Sequence, residues 1–301
     1  MVIAASVLAL AAGVAPPNER PVGDCRSPSL TIRASPSKSR QGGIVAVTVA
    51  SDVPLERAAL HSDGQNVLLE KASDGKIFRG LLGIDFESTP GRHAFRVNAK
   101  SLCGDLHSAR RHLRVTSGRF PIQRLEVPPA YVEPPESELE RIREEKERVA
   151  RVWETGKPAR RWIGPFRPPI DAPIRDNFGS RRIFDGEPRS AHSGVDISAP
   201  EGTAVFAPAT GTVALADTLY FSGGTVILDH GAGLFTTYFH LSRIDVKRGD
   251  DLEPGQAIGA VGATGRATGP HLHWGARLHG ARINPLALRQ LPNWLASPPS
   301  E

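Results

Sequence analysis

Six of the ten histidines fall after residue 190: His192, His230, His240, His271, His273 and His279. Two clusters among them could do chemistry. The first is His192-Ser193-Gly194-Val195-Asp196, and the second is Gly269-Pro270-His271-Leu272-His273. Imidazole and carboxylate suit zinc, and a catalytic zinc takes three protein ligands plus a water. On a strand, residues i and i+2 share a face about 7 Å apart, so His271 and His273 point the same way with Leu272 toward the core. Residues i and i+4 on a straight strand sit about 13 Å apart, too far to share one ion. His192 and Asp196 therefore need a bend between them, and Ser193-Gly194 is the place for it. Either motif alone is also compatible with surface or packed histidines; both together in one strand-rich segment argue for a metal site.

The elements that must position these residues are strands. Between 171 and about 290, the runs Thr203–Phe206, Gly211–Ala216, Gly224–Leu228, Leu234–Leu241 and Ala257–Val261 are short and β-prone. Gly231-Ala232-Gly233, Arg248-Gly249-Asp250 and Glu253-Pro254-Gly255 separate them, which predicts an antiparallel sheet with tight turns. Upstream, residues 25–118 alternate apolar runs such as Ile44–Val49 and His93–Val97 with turn signals such as Ser62-Asp63-Gly64. That spacing predicts a small, Ig-like β-sandwich. His61, His93, His107 and His112 lie there among polar residues and read as surface histidines. Residues 119–170 read as a Pro-rich linker. Ser137-Glu138-Leu139-Glu140 has the capping-box pattern. It predicts one helix over about 137–154, with Leu139, Ile142, Val149, Val152 and Trp153 on one stripe. Glu144–Arg148 and Glu147–Arg151 are its expected i,i+4 pairs. Residues 291–301 read as a tail.

Composition bounds the class. The chain has 301 residues with 30 glycines and 26 prolines, and only 6% aromatics. That favours a turn-rich, mainly β chain of about two domains and disfavours a helix bundle or coiled coil. The net charge of +5 suits an anionic partner without choosing one. No aromatic–basic interleaving supports a nucleic-acid partner. Residues 1–15, MVIAASVLALAAGVA, resemble the h-region of a secretory signal and fall short of the ~20 residues a spanning helix needs. The alternatives are an uncleaved inner-membrane anchor or a buried first strand. The expected location is the periplasm or cell envelope. In an exported chain, the only two cysteines, Cys25 and Cys103, predict one disulfide.

Five segments in order resemble the M23 family of lysostaphin/LytM-type zinc endopeptidases. They are Asn177-Phe178-Gly179-Ser180-Arg181, His192–Ile197, Ala207–Gly211, Tyr238-Phe239-His240-Leu241-Ser242 and Thr264–His273. The resemblance covers about 115 residues within the 171–290 stretch. It implies a peptidase domain acting on the stem peptides of peptidoglycan. It also implies one Zn2+ per chain held by His192, Asp196 and His273, with His240 and His271 as catalytic imidazoles whose separate roles stay open. Arg181 is expected to line the substrate groove or make a structural salt bridge. Tyr238 is expected to support the site or pack. Trp274 reads as core, His230 as structural and His279 as exposed. The other reading within the family is a non-catalytic peptidoglycan-binding or amidase-activating factor. Such relatives usually lack a ligand, and this chain lacks none.

Overall fold

The computed structural model describes residues 26–125, 129–184, 187–188 and 191–298. The apolar 1–15 run and Cys25, with its expected bond to Cys103, lie outside the described residues. No described helix is long and apolar enough to cross a membrane.

Residues 30–116 form two facing sheets. One orders strands Leu30–Ser35, Ile44–Ser51, Ile77–Gly83 and Glu70–Lys71. The other orders Lys38–Arg40, Leu106–Thr116, Gly91–Ser101, Leu55–Ser62 and Gln65–Leu68. Alternate residues such as Val45, Val47, Val49, Phe95 and Val97 point inward and bury a shared core. Among the four upstream histidines the surface expectation holds fully only for His112. His93 is half-buried between Asp63 Oδ2 (2.8 Å) and the Thr89 carbonyl (2.7 Å). His61 and His107 are also half-buried.

The second unit is one large, mostly antiparallel sheet. Its main path runs Ile174–Arg175, Gly194–Ile197, Leu272–Leu278, Leu234–Ile244, Gly223–Asp229, Gly211–Leu219 and Asp251–Leu252. Every residue of Gly223–Asp229 is buried, so this central strand is covered on both faces. The core of Val195, Ile197, Val226, Tyr238, Leu272 and Trp274 covers one side. The helix Glu136–Glu154 is packed against the other through Val149, Val152 and Trp153, which meet Leu215, Leu219, Ile227 and Phe235.

That helix differs in detail from its sequence reading. Its N-cap is Pro135, and no side chain caps it. Leu139 is 51% exposed. The i,i+4 pairs within the helix are Arg141–Glu145 and Arg143–Glu147, while Arg148 reaches Asp217 on the sheet. Docking set that choice: buried Glu145 accepts the Tyr220 backbone N–H at 2.8 Å, which draws the Arg141 pair to the interface.

The stretch read as a linker is packed along much of its length. Strand Ile122–Leu125 pairs in parallel with Arg181–Phe184. Buried Arg160 grips Glu70 of the sandwich through two hydrogen bonds of 2.8 and 3.1 Å. Leu295, in the stretch read as a tail, is buried beside Trp162 and Leu288. Arg282–Asp85 (2.8 Å) and the edge-to-face rings of Phe86, Phe120 and Phe178 complete the join between the two units.

Candidate metal centre and cleft

Strand Gly194–Ile197 starts two residues after His192. The chain therefore bends before the strand, and the imidazole folds back over Asp196, with His192 Nε2 3.0 Å from Asp196 Oδ1. The ladder pairs Asp196 with His273. His273 Nδ1 lies 3.3 Å from the same Asp196 oxygen and 2.7 Å from His192 Nε2. Among the described residues, these three form the one group able to share an ion.

A donor count tests whether a metal fits. His192 Nδ1–H donates to the Asn177 carbonyl at 3.1 Å, so Nε2 faces the cup as a lone pair. Asp196 presents a carboxylate oxygen. His273 Nδ1 faces both, while His273 Nε2 is buried with no partner. At most one proton serves three converging acceptors. Tetrahedral ligation at about 2.0–2.2 Å would space neighbouring donors by roughly 3.3–3.6 Å. The observed triangle is of that scale and slightly tighter, so the residues fit a zinc ion.

The electrostatics agree. Burial alone would raise the Asp196 carboxyl, but hydrogen bonds with His192 and His273 outweigh it and hold Asp196 well below the usual carboxylate range. Burial pushes His273 down to about 3. Both groups are thus in their ligating forms at neutral pH.

Three neighbours position the candidate ligands. Asn177 Nδ2 donates to Asp196 Oδ2 at 2.7 Å, its Oδ1 accepts the Asp196 N–H at 3.1 Å, and its carbonyl orients His192. Phe239 stacks on His273 with ring centroids 5.0 Å apart. Gly194 leaves room for the cup: a Cβ there would meet the Trp274 carbonyl at 2.5 Å and His273 Nε2 at 2.6 Å.

His240 reaches this site through an irregularity. Tyr238 pairs with Trp274 and Phe239 with His273, so in a regular strand His240 would share the core face with Tyr238. Instead the register shifts beyond Tyr238, and His240 takes a left-handed φ of 65°. That bulge turns its ring to within 4.8 Å of the His271 ring. His240 Nδ1–H donates to the Thr264 carbonyl at 2.8 Å, and His271 Nδ1–H to the Gly269 carbonyl at 2.8 Å. Each ring therefore carries its lone pair on Nε2, and His271 Nε2 lies 3.7 Å from Asp196 Oδ1. Burial, followed by the neighbouring His271, pushes His240 down to about 4.

His240, His271 and Asp196 line a cleft of about 280 Å³ with Asn177, Gln123, Arg175, Arg182 and Arg266. Arg181 is not in it. Its side chain is exposed, and its backbone N–H bonds to the Pro121 carbonyl. The next residue, Arg182, turns inward and places a guanidinium nitrogen 3.8 Å from Asp196 Oδ2. Parity along the Arg181–Phe184 strand decides between the two arginines.

Of the two expectations for Tyr238, packing holds, and the side chain does not line the cleft. It is fully buried, and its hydroxyl bonds Thr236 Oγ1 at 2.7 Å. His230 extends that internal chain, bonding Thr236 Oγ1 and the Thr210 carbonyl. Trp274 is fully buried. His279 is half-buried in a turn, where burial lowers it to about 4, so the exposed reading does not hold. Asn177, Phe239 and Arg182 are the residues that reading from sequence did not assign to the site. Asn177 and Phe239 sit inside matching segments, but only spatial proximity marks their roles.

Residues 190–285 match the peptidase family M23 profile. A crystal structure of a chain assigned to peptidase M23 from Pseudomonas aeruginosa superposes with a TM-score of 0.63 at 30% identity, covering 82% of this chain and 93% of that one. Peptidoglycan DD-endopeptidase ShyA of Vibrio cholerae is 40% identical over 121 residues, which is 39% of this chain and 28% of ShyA. DD-carboxypeptidase/endopeptidase Mpg of Neisseria meningitidis is 41% identical over 97 residues, 32% of this chain and 22% of Mpg. The matches to ShyA and Mpg thus take in less than a third of either enzyme's length.

Proposed function

The chain belongs to peptidase family M23, and on that footing we propose that it is a zinc-dependent endopeptidase hydrolysing peptide cross-bridges of peptidoglycan. The observation that carries this reading is the convergence of two imidazoles and a carboxylate, beside two further imidazoles whose Nε2 lone pairs face the same cleft. Bound to His192, Asp196 and His273, zinc would supply Lewis acidity and bring a water's pKa from 15.7 to about 7.

The chain's own groups do the rest. His240 and His271, with Nδ1–H tied to carbonyls, can each take a proton at Nε2. Each can return it, once protonated, to a leaving amine or to the oxygen that gains charge when the peptide carbonyl is attacked. Arg182 adds positive charge beside Asp196. Phe239 and Asn177 hold the donors in place, so little reorganisation is needed at the moment of reaction.

ShyA is named a peptidoglycan DD-endopeptidase and Mpg a DD-carboxypeptidase/endopeptidase, which supports that polymer as substrate and action outside the cytoplasm. An exported protein with a Cys25–Cys103 disulfide is consistent with this setting. The complete donor set disfavours the non-catalytic, amidase-activating reading. Purified protein should carry about one zinc per chain and cleave cross-linked muropeptides. His192→Ala should lose metal and cleavage together. Full cleavage by zinc-free His192→Ala protein would end the proposal.

A further inference from the structure

The outer face of the five-stranded sheet is basic in a way that folding does not favour. Strands Gly91–Ser101 and Leu106–Thr116 place Arg96 directly opposite Arg110, and Arg92 directly opposite Arg114. The adjoining strands extend each pair: His61 lies opposite Arg96, and Lys38 opposite Arg114. Two cross-strand rungs of basic side chains result, about 13 Å apart along the strands. Directly opposed like charges destabilise a ladder. Arg96, Arg110 and Arg114 are exposed and make no ion pair among the described residues. Among the described residues, Arg92 finds only the ring of His112, at 3.0 Å. A repulsive array kept on a solvated face points to an anion brought from outside.

The Arg110–Arg96–His61 rung lines an open depression of about 660 Å³, where Asn66 and Asn98 add carboxamides. Its one carboxylate, Asp63, is engaged by His93 Nδ1 at 2.8 Å. The aromatic residue beneath, Phe95, is buried, so the depression has no ring on which a base could stack. Guanidinium groups flanked by carboxamides match a polymer carrying carboxylates among amides and hydroxyls.

We propose that this face is a second docking site for the wall polymer, holding stem-peptide carboxylates on Arg96 and Arg110 away from the cleft. The proposal rests on the reading above that this polymer is the substrate. Cosedimentation of the full chain with isolated sacculi, with chelator present to prevent digestion, tests it. R96E/R110E should lower the bound fraction about tenfold at low salt. Cleavage of a soluble cross-linked muropeptide by the zinc-loaded variant should stay within about twofold, because a small substrate needs only the cleft. R110E alone should reduce binding without lowering the melting temperature, since it replaces an opposed like-charge pair by an attractive one. Sacculus binding unchanged in R96E/R110E would overturn the proposal. So would loss of binding to phosphatidylglycerol vesicles with sacculus binding intact, which would assign the face to a membrane. A wild-type chain that binds sacculi through these arginines but cleaves no muropeptide would keep this site and sink the peptidase reading.

Discussion

Phe239 and His273 lie face to face, their ring planes within 4° of parallel. The two residues are directly paired across the strands Leu234–Ile244 and Leu272–Leu278, so the stack is built into the ladder. It limits rotation of the imidazole and keeps Nδ1 aimed at Asp196. Phe239→Ala should leave all three ligands present and still weaken zinc binding by about 10–100-fold, the range for groups that orient a ligand. Competition with a chromophoric chelator measures this. Unchanged affinity would mean that the backbone alone fixes the ring.

Asn177 touches two of the candidate ligands at once, through its side chain to Asp196 and its carbonyl to His192. Asn177→Ala removes both side-chain bonds to Asp196 and leaves the carbonyl in place. The expected outcome is a drop in zinc affinity, again about 10–100-fold, with His192 still able to ligate. Asn177→Asp should be worse, because a second carboxylate beside Asp196 adds like-charge repulsion. Isothermal titration with zinc distinguishes the two variants.

His240→Ala and His271→Ala should each keep close to one zinc per chain, since neither belongs to the three-donor cup. Each should lower kcat on a cross-linked muropeptide by about 10²–10⁴-fold, the usual loss for a general acid or base. Metal content and steady-state kinetics on the same preparation decide this. Loss of zinc from either variant would move that residue into the ligand set.

His230 gives the fold a pH dependence of its own. Burial pushes it to about 4, against 6.5 for an ordinary histidine, although its bond to the Thr210 carbonyl opposes the shift. Between those values the unfolded chain holds a proton that the folded chain does not. The contribution is therefore full above pH 6.5 and is lost as pH falls toward 4, by about 3 kcal/mol. Denaturant titrations with chelator present should show stability falling over that window, with a shallower slope for His230→Gln.

Which of the candidate ligands can share a face was legible in one dimension. The i,i+2 spacing of His271 and His273 requires a shared face on any strand, and the distance between His192 and Asp196 along a straight strand requires a bend. Those are covalent-geometry constraints, so residue order alone determines them. The alternation of apolar and turn residues likewise determined a mainly β chain. Tertiary structure decided what depends on contacts between distant segments. A local bulge with left-handed backbone, fitted between two neighbouring strands, moved His240 off the core face that parity would assign it. Pairing of Arg181–Phe184 with Ile122–Leu125 put Arg182 rather than Arg181 into the cleft, and packing put Tyr238 in the core. Sequence spacing specifies which side chains can meet along one strand; which segment lies alongside, and so which face is buried, is settled only when burial and hydrogen bonding of the whole chain are satisfied together.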